Sequence, residues 1–147
     1  MTRDYAWQEF WWKETHQWTV TVVYDDKAPT INSLEMTSKD SGSSSSDRLT
    51  NENDIKFKVK ATDNGVSDAI SGMAKFKYRF SDQSSWTEAN NTTGEYNISR
   101  NNLADGDYLL YMVAIDANGN PSVQSSINFT IDTKKPLVPT ISYNDKV

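Results

Sequence analysis

The sequence predicts an all-β protein folded as a seven-stranded Greek-key β-sandwich. Segments such as Ile55–Thr62 and Met73–Phe80 alternate apolar and polar residues with a period of two, which is the pattern of half-buried strands. Turn-forming residues, chiefly Gly, Asn, Asp and Ser, separate these segments at short intervals. Aromatic residues make up 12% of the chain and hydrophobic residues 36%, a balance that suits short strands better than Leu-rich helices.

The predicted strands follow one another through recognisable turns. A serine-rich polar loop, Ser38–Asp54, follows the first strand, which we expect at a sheet edge. In the next two strands, apolar side chains alternate with Lys or Arg, so that one face of each meets the core. The most apolar strand comes sixth, and we expect both its faces to be covered. The predicted strands are Thr30–Thr37, Ile55–Thr62, Met73–Phe80, Trp86–Ala89, Glu95–Ser99, Asp107–Ile115 and Val123–Ile131.

A junction of strand, Asp, polar turn and Pro occurs twice. Aligning Asp25 with Asp132 also aligns Lys27 with Lys134 and the proline of each junction. The two aspartates are 107 residues apart, close to the length of one β-sandwich domain of about 100 residues. Proline ends strand pairing, so the repeat indicates the boundaries of one structural unit. Chance similarity of two strand ends is the alternative, because turn residues are common there.

These junctions divide the chain into three expected parts. Residues 26–132 form one complete sandwich, residues 1–25 are the terminal strands of a preceding module, and residues 133–147 are a linker and the start of a following module. The first eighteen residues lack the continuous apolar stretch of a secretory signal. No apolar segment is long enough to insert into a membrane.

The segment before the sixth strand predicts a structural corner. Leu103 and Gly106 precede Tyr108, which opens the strand. A tyrosine in this position of a Greek-key sandwich bonds through its hydroxyl to upstream backbone. An ordinary core tyrosine is the alternative, and both interpretations are structural.

With these residues established, the central unit resembles the bacterial immunoglobulin-like (fibronectin-III-like) domains that occur in tandem in surface proteins and adhesins, and as accessory modules of secreted carbohydrate-active enzymes. The likeness rests on Lys77–Thr87, on Leu103–Asn120 and on Asp-x-Lys-x-Pro at both junctions. It implies an immunoglobulin-like sandwich, an extracellular or cell-surface location, and neighbouring Ig-like modules of the same chain as partners. A weaker likeness to cadherin repeats fails at the second junction, where lysines replace the acidic ligands.

Composition excludes several functional classes. The net charge of −5 argues against nucleic acid and anionic membranes as partners. The absence of cysteine excludes disulfides and thiolate zinc sites. The only histidine, His16, lies outside the central unit, whereas most hydrolytic triads and catalytic zinc sites need at least one. We therefore expect no enzyme, and a spacer or adhesion module of a multi-domain extracellular bacterial protein.

Calcium is the leading hypothesis for a bound ligand. The loops after the second and sixth strands are expected at the same end of the sandwich as the first junction. Calcium takes six to eight oxygen ligands from carboxylates, amides and carbonyls. The candidate ligands are Asp25, Asp26, Asp63, Asp116 and Asn118. The alternative is that these residues only form turns through local backbone hydrogen bonds.

Carbohydrate binding, with a sugar or another cell-surface ligand, is the second hypothesis. Exposed aromatic rings stack on sugars, and Trp86 is the candidate in the central unit. Four further tryptophans, Trp7, Trp11, Trp12 and Trp18, crowd the N-terminal segment. Trp11 and Trp12 point to opposite sides of a strand, which favours the core of the preceding module for at least one of them.

Overall fold

The computed structural model describes residues 24–41, 43–65 and 70–136. Within these ranges the chain forms eight β-strands and no helix. The strands are β1 Thr30–Met36, β2 Leu49–Thr50, β3 Ile55–Thr62, β4 Met73–Phe80, β5 Thr87–Asn90, β6 Glu95–Arg100, β7 Gly106–Asp116 and β8 Ser125–Ile131. The expected strands of a preceding module and most of the expected following module lie outside the described residues.

The strands form two facing sheets. One sheet has the order β1-β3-β6 and the other β2-β8-β7-β4-β5. The chain changes sheets at five connections: on entering and on leaving β2, between β3 and β4, between β5 and β6, and between β6 and β7. This gives a Greek-key sandwich of the immunoglobulin type. All pairings are antiparallel except that of β2 with β8. The predicted all-β Greek-key sandwich is therefore confirmed, with all seven predicted strands present.

One strand that was not predicted, β2, lies within Ser38–Asp54, which the sequence predicted as a loop. Leu49 and Thr50 pair in parallel with Thr130 and Ile131 at the edge of the larger sheet. Thr50 is fully buried. A strand of two residues shows no alternation, and its pairing depends on a partner some 80 residues away in the chain, so local sequence patterns do not reveal it.

The last strand begins two residues later than predicted. Ser122 completes the pairing with β7, since its N–H donates to the Ala114 carbonyl at 2.8 Å and its hydroxyl accepts from the Ala114 N–H at 2.9 Å. The chain then turns outward, leaving the Val123 side chain 88% exposed. The Ser122 hydroxyl thus takes the place of a backbone carbonyl as the acceptor for the Ala114 N–H. The regular strand β8 starts at Ser125.

Aromatic side chains join the two sheets at the centre of the sandwich. Phe57 of β3 is completely buried, and its ring lies 6.2 Å from that of Phe80 and 5.1 Å from that of Phe129. Burying one such ring contributes about 2–3 kcal/mol to folding. The four inward positions of β3 are buried, as the alternation predicted.

Tyr108 adopts the geometry of a tyrosine corner. Its hydroxyl donates to the Ala104 carbonyl at 2.8 Å, and its ring stacks on Phe129 with centroids 5.4 Å apart. Leu103 is buried beneath the corner, and its N–H donates to the Asn53 carbonyl. The segment from Leu103 through Gly106 thereby fixes the start of β7.

The turn between β5 and β6 requires glycine at position 94. Gly94 has φ +77°, and a Cβ there would overlap the Ala61 carbonyl oxygen. We expect Gly94→Ala to lower the free energy of unfolding by about 2–4 kcal/mol, measured by urea denaturation. Gly119→Ala is the matched control, because Gly119 has φ +88° with no atom near the added methyl group, and it should cost about 1 kcal/mol. Equal losses in both variants would contradict the steric argument.

Candidate metal centre

Three separate segments bring aspartates to one end of the sandwich, which we call the linker end. Asp63 directly follows β3, and Asp116 is the last residue of β7. Asp25 belongs to the segment that leads into β1 from residues 24–29. Because β3 and β7 end at the same side of the two facing sheets, their final carboxylates meet the incoming linker there.

The three carboxylates form a compact group, the aspartate cluster. One carboxylate oxygen from each of Asp25, Asp63 and Asp116 lies within 4.8 Å of the other two. Asp25 and Asp116 are only 3% and 1% exposed, which is unusual for aspartates. Like charges this close and this buried repel one another unless a cation or strong hydrogen bonds compensate them.

Backbone and amide donors compensate part of this charge. Asp116 accepts from the backbone N–H of Asn120 at 2.8 Å and from its side-chain amide at 2.7 Å. Asp63 Oδ2 accepts from the Gly72 N–H at 2.6 Å. Asp25 Oδ2 accepts from the Ser71 N–H at 2.8 Å. These donors hold the carboxylates in place, and the Ser71 bond connects the linker to the segment between β3 and β4.

The Ser71 contacts also keep Asp25 ionised. Hydrogen bonds from the Ser71 side chain and then from its backbone N–H lower the pKa of Asp25 from its ordinary value, although burial acts in the opposite direction. A carboxyl group with a lowered pKa carries its negative charge throughout the neutral range.

The remaining features of the cluster fit a hard cation. Asp63 Oδ1 is buried and accepts no hydrogen bond from any described residue. Among the described residues, no Lys or Arg forms a salt bridge with the three carboxylates. Calcium prefers oxygen ligands with net negative charge, whereas softer metals prefer Cys and His.

The other two predicted calcium ligands, Asp26 and Asn118, are not among the three carboxylates of the cluster. Asp26 is exposed and forms a salt bridge with Lys27 at 3.5 Å, outside the cluster. The Asn118 amide donates to the Asp25 carbonyl at 3.1 Å, so it supports the linker. Sequence reasoning missed Asn120, which bonds both Asp116 and the Asp25 carbonyl. Its place four residues after Asp116, in an Asn-Gly turn, was the available signal.

The two junctions share a local turn. The Lys27 N–H donates to Asp25 Oδ1 at 3.1 Å, and the Lys134 N–H donates to Asp132 Oδ1 at 3.1 Å. Asp132 is exposed, whereas Asp25 is buried. The alignment of the two junctions therefore has a structural counterpart in the same aspartate turn.

The candidate sugar-stacking residue lies far from this cluster. Trp86 precedes β5 and is 37% exposed, and the Arg79 guanidinium carbon lies 5.6 Å from its ring centroid. His16 and the N-terminal tryptophans are outside the described residues.

The fold and the matched sequence define the class of this protein. The chain belongs to the family of bacterial Ig-like domains, whose model matches residues 27–133, and this confirms the resemblance found in the sequence. The family is typically non-catalytic, and it establishes the chain as a module of bacterial Ig-like type. No curated protein sequence matches the chain at a significant level.

Solved structures show a distant likeness. Two crystal structures of the extracellular domain of BT4673 from B. thetaiotaomicron, described once as a one-component and once as a hybrid two-component system, align with 72% of the chain. Their sequence identities are 17% and 18%, with TM-scores of 0.43 and 0.44. The chain spans only 16% and 15% of their lengths. Within the part of the chain that the structure describes, no helix could cross a membrane.

Asn120 is expected to be the main organiser of the cluster. Asn120→Ala removes the amide bonds to Asp116 and to the Asp25 carbonyl and leaves a buried carboxylate with fewer donors, which should lower the free energy of unfolding by about 1–3 kcal/mol. Asn118→Ala is the control, because it removes a single bond from an exposed residue and should cost less than about 1 kcal/mol. Thermal denaturation in the presence of chelator measures both. A larger loss in the Asn118 variant would contradict this assignment.

Proposed function

We propose that this chain contains a non-enzymatic spacer module of a multi-domain extracellular bacterial protein, in which calcium at the aspartate cluster stiffens the junction with the preceding module. Such a module holds adhesive or binding domains of the same protein at a distance from the cell. The observation that carries the proposal is the composition of the cluster: one of its three carboxylates, Asp25, belongs to the linker.

A cation bound there would add a shared carboxylate ligand set to three segments that hydrogen bonds already connect. The Asp25 linker, the turn after β3 and the turn after β7 each supply one carboxylate oxygen within 4.8 Å of the others. Neutralising their mutual repulsion favours the closed arrangement. Since the linker carries the preceding part of the chain, fixing Asp25 would restrict its direction relative to the sandwich.

Exposed apolar side chains near the cluster support a module contact at this end. Four large apolar side chains are exposed among the described residues, and three of them adjoin the segments that form or flank the cluster. They are Tyr24 at 74%, Ile70 at 51% and Val123 at 88% exposure. Apolar groups grouped on a surface mark contact sites, and a tethered neighbouring module is the partner that the linker brings here.

The repeated aspartate turn supports a tandem arrangement. Asp132 begins the second junction with the same hydrogen bond that Asp25 makes in the first. In the proposed tandem arrangement, Asp132 would serve a following module as Asp25 serves this one. Repetition of one junction is what a stalk of similar modules requires.

Calcium is expected to raise the melting temperature of the full chain. Binding to the folded state alone, at a concentration of about 10 to 100 times Kd, stabilises by about 1.4–2.7 kcal/mol, which corresponds to about 5 °C or more for a domain of this size. Differential scanning calorimetry with about 10 mM calcium, and then with chelator, measures the shift; extracellular calcium modules have Kd values of about 0.1–1 mM.

Matched variants distinguish the cluster from nonspecific ion effects. Asp63→Asn should abolish the calcium shift, because it removes the carboxylate that has the unpartnered buried oxygen. Asp26→Asn removes the same charge from an exposed neighbour and should leave the shift intact. The calcium proposal fails if the unaltered chain shows no shift, or if the shift persists in the Asp63 variant.

Stiffening of the linker has its own readout in limited proteolysis. Lys27 lies two residues beyond Asp25 and is exposed, so trypsin cleaves after it when the linker opens locally. Calcium is expected to slow this cleavage about tenfold or more. Cleavage after Lys134, at the second junction, should keep its rate and so controls for protease activity. Mass spectrometry assigns the two sites, and equal rates at Lys27 with calcium and chelator would count against stiffening.

A further inference from the structure

We infer that the outer face of the five-stranded sheet, over β4, β7 and β8, binds a carboxylated oligosaccharide. This surface lies away from the aspartate cluster, and ligand binding there requires no calcium. Its parts are an aromatic and arginine platform, an adjoining groove with both polar and apolar lining, and an excess of positive charge.

The platform consists of three side chains in one row across the sheet. The Arg79 guanidinium carbon lies 5.6 Å from the Trp86 ring centroid and 5.0 Å from that of Tyr111. Arg79 and Tyr111 are register partners in β4 and β7. One guanidinium N–H donates to the Gln83 carbonyl at 2.7 Å, which holds the group between the two rings. A rigid ring beside an oriented guanidinium presents both a stacking surface and charged donors.

The groove continues from the platform along the same face. Leu109 is two residues before Tyr111, and side chains at that spacing share a face about 7 Å apart. An open groove of about 760 Å³ lies here, and it is lined by Ser81, Asp107, Tyr108, Leu109, Asn128, Phe129 and Thr130. A volume of this size is in the range of small-ligand sites. Hydroxyl, amide and carboxylate groups along it are suitable partners for the hydroxyls of a sugar chain.

The charged side chains on this face favour an acidic sugar. The outward side chains of this face include four cations, Arg48, Lys75, Lys77 and Arg79, and two anions, Glu88 and Asp107. Glu88 pairs with both lysines, whereas the two arginines have no carboxylate partner among the described residues. The Arg48 guanidinium instead donates to the Asn128 side chain, beside the groove, at 2.6 Å. Two guanidinium groups that have no carboxylate partner among the described residues, on a chain of net charge −5, favour a ligand with carboxylates.

The position of this surface favours a glycan over a polypeptide strand. The edges of the larger sheet are β2 and β5, whereas the groove lies over β7 and β8. Backbone groups there are already paired within the sheet, so an extended peptide cannot add to it through main-chain hydrogen bonds. Recognition must use side-chain stacking and polar contacts, which a sugar chain provides.

The test is a titration of the isotope-labelled full chain with three acidic probes, followed by NMR. The probes are oligogalacturonate, oligomannuronate and an oligosaccharide containing glucuronate. At least one is expected to bind with a Kd of about 1 mM or tighter and to shift signals of β4, β7 and β8. Methyl-esterified oligogalacturonate, which keeps the sugar rings but loses the charge, should bind at least about fivefold more weakly than its acid.

Matched variants locate the site. Trp86→Ala and Arg79→Gln should each weaken binding about fivefold or more. Tyr24→Ala removes an exposed ring at the linker end, Lys135→Gln removes an exposed charge beyond β8, and both should leave binding unchanged. Melting curves verify that each variant is folded. Oligoglutamate, an acidic peptide, is titrated in the same way as the competing class of ligand. No binding of any acidic sugar, equal binding of the ester, binding unaffected by Trp86→Ala, or tighter binding of oligoglutamate than of every sugar would each overturn the inference.

Discussion

Packing of Phe57 against Phe80 and Phe129 holds the two sheets face to face, and the other features depend on it. The three rings come from β3, β4 and β8, so they join both sheets at one point. With the sheets in this register, the last residues of β3 and β7 reach the same end of the sandwich. The aspartate cluster is therefore a consequence of core packing, because no local interaction in the chain would bring Asp63 close to Asp116.

The aspartate cluster and the outer face of the larger sheet are the two chemically distinctive regions of the molecule, and they lie apart. At the linker end, buried carboxylates converge with little positive charge nearby. On the outer face of the larger sheet, guanidinium groups lie beside aromatic rings and a groove with both polar and apolar lining. The proposed cation site and the proposed ligand-binding face therefore share no residues. In a tandem protein this arrangement would fix the direction of the chain at the first region while leaving the second accessible.

Much of the framework was predictable because it depends on local patterns. The bounds of β3 and β4 agree with the alternation in the sequence, since each inward side chain is apolar and each turn is marked by its own residues. Three of the five predicted calcium ligands also come together, because strand direction alone places the turns after β3 and β7 at one end. Asn120 and the Ser71 N–H were missed, since which donor reaches a carboxylate is decided by loop geometry.

The sequence by itself determined the fold class, which depends on periodicity, and the likeness to the bacterial Ig-like family, which rests on short motifs. Only the tertiary structure decided that Thr50 pairs with Ile131, that Asp25 is buried while Asp26 faces solvent, and that Arg79 lies between Trp86 and Tyr111. Each of these depends on contacts between segments distant in the chain, which packing selects and local pattern does not encode.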